Sequence, residues 1–267
     1  MEDRTIVLTV VNKAWATSGS VLDLFLESFQ IGQATKPLLN HIVIATLDKQ
    51  AFRYCNSIHP NCFLLKNSSP NQTNRKIQSK NPDHPTFGAG IINLLKQVLE
   101  LGYNVVFTEA DVMWLRNPFP HLDPEKEIEV TCDFSTANQP NIETRADAGF
   151  FHAKSFDSTL EIFKMVKLMR FLFPDYEHKS FCEILEYTGI ETKLGHRLNH
   201  LNLTNFVGFC NPEVKLSKIS TFHANCCENT KSKVHELKLL LDDWKKVAAA
   251  GFQWEISSWK APTKCIE

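Results

Sequence analysis

The chain has 267 residues, 43% hydrophobic and 22% charged, with a formal net charge of −1, a balance that fits one large α/β domain or two small ones. The near-zero charge gives no general attraction to nucleic acid or to an acidic membrane surface, and no nucleic-acid-binding motif is present. No apolar run approaches the roughly 18 residues of a membrane span, and Met1-Glu-Asp-Arg leads straight into an apolar run, so no signal peptide is expected.

Thr5 to Asn12 (TIVLTVVN) is β-branched and apolar and predicts a buried strand. Val21, Leu22, Phe25, Leu26 and Phe29 follow at helical spacing, with Ser20 as a cap and Gly32 as a stop. His41 to Leu47 predicts a second strand, Lys49 to Ser57 a helix and Cys62 to Lys66 a short third strand. Asn67 to Pro85 is polar, aperiodic and reads as a surface loop. Phe87 to Gly102 predicts a helix, and Asn104 to Ala110 a fourth strand. Strands are expected at Glu129 to Phe134, Ala148 to Ser155 and Ile219 to Cys226. Helices are expected at Ser158 to Phe173, Lys179 to Thr188 and, amphipathic, from Lys233 onward. This alternation predicts a mostly parallel sheet with helices on both faces, in a single domain over residues 1–267.

The eight cysteines (55, 62, 132, 182, 210, 226, 227 and 265) include no CxxC pair, so a structural zinc site is not expected. Cys55 and Cys62 flank a short helix-to-strand connection and are expected to pair, as is Cys210 with Cys226 or Cys227. Sequons stand at Asn67, Asn71 and Asn202, the last between apolar residues. Cysteines and sequons together point to a secretory-pathway lumen.

The fourth strand ends in Glu109-Ala-Asp111, inside VVFTEADVMWLRNPF. Two acids at i, i+2 on a strand share a side, and like charges so placed call for a shared cation. Mg²⁺ and Mn²⁺ prefer such oxygen donors; the plainer alternative is a pair of solvated loop acids. Ligands of open α/β sheets bind beyond the C-terminal strand ends, where Asn12, Glu109, Asp111 and Asp147 are expected to collect. No G-x-G-x-x-G, P-loop or G-x-S-x-G motif occurs, so a nucleotide would be held by a metal and side chains.

NVVFTEADVMWLRNPF, GFCNP, STFHANCC and KVHELKLLLDDWKK resemble the plant nucleotide-diphospho-sugar transferase family, related to glycosyltransferase family 77. The likeness runs from TIVLTVVNKA to DDWKK, nearly the whole chain. It implies a GT-A fold, Mn²⁺ (or Mg²⁺), and a nucleotide-sugar donor, taken as a UDP-sugar. It also implies a carbohydrate, glycoprotein or small-molecule hydroxyl acceptor, retention of anomeric configuration, and a Golgi protein with an N-terminal membrane anchor outside this chain. The family's D-x-D falls on Glu109 and Asp111, with Asp111 the firmer ligand; His223 matches a late histidine that completes the metal set. Thr9 and Asn12 match the region that holds the nucleotide base, and Asp147 stands where a residue faces the reacting sugar. The plainer roles are strand-end capping for Thr9 and Asn12 and core hydrogen bonding for His223.

The chain departs from that pattern in three places. Glu109 is one methylene longer than the family's Asp. The helix before the acid pair reads FGAGIINLLKQ, without the family's paired arginines, though Lys96 lies a turn on. An acceptor-side carboxylate is replaced near Ser180, leaving Glu177 or Glu183. The alternative expectation is therefore a diverged member that binds a ligand, or does other chemistry, in the same cleft.

Overall fold

The computed structural model describes residues 4–65, 89–132, 149–173, 181–187, 189, 192, 194–209, 218–227, 229–252 and 265. The expected loop with Asn67 and Asn71 lies outside them, as do Asp147, Glu177, Ser180 and Cys210.

Seven strands form the main sheet: β1 (Thr5–Val11), β2 (Ile42–Thr46), β3 (Cys62–Leu64), β4 (Asn104–Thr108), β6 (Ile128–Val130), β7 (Phe150–Ala153) and β8 (Leu198–His200). Their order is β3-β2-β1-β4-β7-β6-β8. Three further strands, β5 (Val112–Trp114), β9 (Phe206–Gly208) and β10 (Thr221–His223), form a small sheet in the order β5-β10-β9. The helices are α1 (Val21–Ile31), α2 (Lys49–Ile58), α3 (Ala89–Glu100), α4 (Asp157–Leu172), α5 (Phe181–Tyr187) and α6 (Thr230–Ala249).

Both faces of the main sheet are covered, which is why its central strands read as unbroken apolar runs. Along β1, Val7 and Val11 enter one core with α1, α6 and the small sheet. Leu8 and Val10 enter the other, with α3, α4 and α5. The sheet is not wholly parallel: β7 runs antiparallel to both β4 and β6. Of the small sheet, β10 falls within the strand expected at Ile219 to Cys226; β5 and β9 were not expected, because they have only three residues each and show no period.

Gly32 ends α1 in an extended conformation, φ −71°, rather than a left-handed one. Its need is closeness: a Cβ there would lie 2.5 Å from the Trp114 carbonyl oxygen. Asn202 is exposed, not sheltered by its apolar neighbours; its Oδ1 accepts the Thr204 N–H at 2.8 Å.

Disulfides join Cys55 to Cys62, Cys132 to Cys182 and Cys227 to Cys265. The first was expected. Of the two alternative partners expected for Cys210, Cys227 is bound to Cys265, while the pairing with Cys226 involves a residue outside the described ones. Cys226 is disulfide-bonded too and adopts a positive φ of 59°. The bridges at 55–62 and 132–182 span 7 and 50 residues, so chain entropy assigns them about 2.5 and about 4 kcal/mol. Replacing each pair by serine should lower the urea midpoint more for 132–182, measured on protein from an oxidising host.

Candidate active site

The site is built where the two sheets meet. β4 stops at Thr108, and a turn over Glu109, Ala110 and Asp111 carries the chain into β5. Three backbone bonds fix that turn: Glu109 N–H to Gly149 O (2.8 Å), Val112 N–H to Glu109 O (3.1 Å) and Ala224 N–H to Asp111 O (3.0 Å). Ala110 is fully buried in the core. The segment beyond is anchored by Trp114, which stacks on Phe29 with ring centroids 4.7 Å apart. Arg116, whose pKa burial lowers, donates from Nη1 to Ile219 O at 2.8 Å and lies 4.6 Å over the Trp244 ring. Trp114 is thus packing beneath the site, and the cation–π partner of Arg116 is Trp244.

The acids converge through this turn rather than by strand alternation. β10 lies antiparallel to β5, with His223 opposite Val112. His223 Nε2 is 3.3 Å from Glu109 Oε2 and 3.5 Å from Asp111 Oδ1. One ligand atom from each of the three lies within 4.8 Å of the others. Asp111 is fully buried, while Glu109 and His223 keep 15% and 12% side-chain exposure, so the cluster is reached from the Glu109 and His223 side. Two carboxylates and an imidazole suit a hard or borderline divalent cation such as Mn²⁺.

A fourth group was not anticipated. Lys233, in the first turn of α6, places Nζ on Asp111 Oδ2 and 5.1 Å over the Trp15 ring. Its signal in the sequence was its phase: Lys233 lies on the same helical stripe as the buried Leu237, Leu240, Leu241 and Trp244. The cation beside the acids therefore comes from α6. Lys96, weighed for that role, is ion-paired with Glu100 one turn along α3.

Two glycines make room for His223 at the end of β10 and for Asn225 just beyond it. A Cβ at Gly149 would lie 2.5 Å from His223 Nδ1, and one at Gly208 would lie 2.5 Å from Asn225 Nδ2. Thr131, Phe150, Leu203, Phe206 and Asn225 line a small cleft beside His223. At the β1 end, Asn12 Oδ1 accepts the N–H groups of Ala14 (3.0 Å) and Trp15 (3.2 Å), shaping the turn there. Thr9 is fully buried within β1.

A mostly parallel sheet carrying an acid pair at a strand's C-terminal end, with a small second sheet folded over it, defines a GT-A nucleotide-sugar transferase architecture. The chain belongs to the nucleotide-diphospho-sugar transferase family, whose sequence profile matches residues 37–237. It is 31% identical to an uncharacterised Arabidopsis thaliana protein across all of this chain and 71% of that one. It is 33% identical to the beta-arabinofuranosyltransferase RAY1 of Arabidopsis thaliana over 73 residues, 26% of this chain and 14% of that protein. The structure of galactosyltransferase LgtC in complex with donor and acceptor sugar analogs superposes with TM-score 0.51 at 10% identity, over 95% of this chain and 97% of that one; this shows the shared fold.

Gly149→Ala should cost about 1–3 kcal/mol, the range for overpacking a filled site. Combined with His223→Ala it should cost less than the sum of the two, because the colliding ring is gone. Urea denaturation of the four proteins of this double-mutant cycle measures the coupling.

Proposed function

We propose that the chain transfers a sugar from a nucleotide-diphosphate donor, a UDP-sugar, to a hydroxyl acceptor, with retention of configuration. The observation behind this reading is the convergence of Glu109, Asp111 and His223 within 4.8 Å at the C-terminal end of β4. These three side chains would hold Mn²⁺ or Mg²⁺, with Asp111 the principal ligand. The bound ion would supply Lewis-acid neutralisation of charge on the departing diphosphate. Glu109 reaches His223 despite its extra methylene, so the longer acid still points into the cluster. The nucleotide base is assigned to the β1 end, where Asn12 shapes the turn and Thr9 lies beneath. The acceptor is assigned to the cleft beside His223, where Asn225 and Thr131 provide polar groups among apolar walls.

Maturation in the secretory pathway accords with the disulfides and with the plant transferase relatives. No helix among the described residues is long and apolar enough to cross a membrane; a membrane anchor outside this chain belongs to the same proposal. One observation favours the alternative of a diverged, non-transferring member: α3 carries no arginine, and Lys96 is engaged with Glu100.

Asp111→Asn keeps the size and removes the charge a cation needs, and should abolish Mn²⁺-dependent UDP binding while leaving the fold intact. Glu109→Asp should retain or strengthen it. Calorimetric titration of UDP with and without Mn²⁺ on the parent and both variants is the measurement. Parent-like binding by Asp111→Asn defeats the metal assignment; no nucleotide binding by any of the three gives the lead to the diverged reading.

A further inference from the structure

We infer that Lys233 competes with the metal for Asp111, so that a divalent cation binds weakly alone and tightly only together with an anion. The inference rests on the metal reading above and adds a coupling to it. Asp111 directs Oδ1 toward His223 and Glu109, while its Oδ2 carries the Lys233 ammonium. Lys233 is 4% exposed, so water screens its charge poorly.

Its position is fixed from several directions. Asn229 caps α6 by accepting the Ser232 N–H at 2.9 Å, and Lys233 N–H donates to Asn229 O at 3.1 Å. The Nζ lies over Trp15, which is itself buried. These contacts favour keeping the ammonium on the carboxylate.

Charge then decides the consequence. With His223 neutral as a ligand, Glu109 and Asp111 bring two negative charges and Lys233 returns one positive. A divalent cation sharing Asp111 with an ammonium leaves an excess positive charge in a poorly solvated place. Without the lysine, the same cation and two acids would balance. An anion such as a diphosphate group offsets that one excess charge and is drawn by both cations. Linkage makes this reciprocal: the anion strengthens metal binding by the factor by which the metal strengthens anion binding.

The test is titration of EDTA-treated protein with Mn²⁺, alone and with saturating UDP or inorganic pyrophosphate, read by calorimetry and by the electron paramagnetic resonance of free Mn²⁺. For the parent, either anion should raise Mn²⁺ affinity at least tenfold. Lys233→Met keeps the aliphatic stem and should bind Mn²⁺ alone at least tenfold more tightly than the parent, with a smaller gain from the anion. Should this variant fold poorly because Asp111 is left buried beside no ammonium, Mn²⁺ alone should restore it, raising its melting temperature more than the parent's. Equal Mn²⁺ affinity of the parent with and without anion overturns the inference without any variant. So does equal affinity of parent and Lys233→Met for Mn²⁺ alone, or failure of Mn²⁺ to restore a poorly folded Lys233→Met. Unchanged Mn²⁺ binding in Asp111→Asn, or no Mn²⁺ binding by any protein even with UDP, overturns the metal reading as well. That pattern separates the two failures.

Discussion

The turn from Glu109 to Asp111 is the constraint on which the rest depends. It is where the chain leaves the main sheet and enters the small one, and its backbone is bonded to both: to Gly149 before β7 and to Ala224 after β10. A carboxylate pair on a free loop would spread apart by repulsion. Here the peptide groups around the acids are committed to neighbouring segments, so the side chains are held together by a framework that does not involve their charges. Preorganisation of this kind is what a tight polar site needs, because the ordering cost is met during folding.

Burial of Asp111 has its own electrostatic requirement. An ionised carboxylate removed from water is costly unless it is paired and hydrogen-bonded. Lys233 on Oδ2 meets that requirement from α6, and His223 on β10 stands 3.5 Å from Oδ1; both elements lie far from Asp111 in sequence. The C-terminal helix is therefore part of the site as well as a cover for the core. Its Leu237, Leu240, Leu241 and Trp244 bury one stripe, and the same phase carries Lys233 under the acids. The exposed Lys245 and Lys246 pair with nearby acids at the surface.

Much of the main sheet was legible because its strands are uniformly apolar and its helices have clear periods and stops. The direction of β7 was not legible, since an apolar strand buried on both faces reads alike in either sense. Nor was the small sheet as a unit: β10 falls within an expected strand, but the three-residue β5 and β9 are too short to show alternation. Of the site, Glu109, Asp111 and His223 were named from spacing and family likeness. Lys233 was hidden because it stands at the start of a helix whose other lysines are solvated. The roles of Gly149 and Gly208 depend on side chains from distant strands, which no local pattern reveals.

Gly149 ties two positions together in a way that bears on how the sequence can drift. Its carbonyl fixes Glu109 and its bare α-carbon makes room for His223. The carbonyl duty can be met by any residue, but the absence of a side chain is required only while the imidazole is there. A lineage that gave up the histidine would be released to accept alanine or serine at this position. One that kept the histidine would stay confined to glycine. The pair therefore acts as a ratchet: once a side chain has appeared at 149, regaining the histidine requires two changes instead of one, and loss of the site becomes hard to reverse.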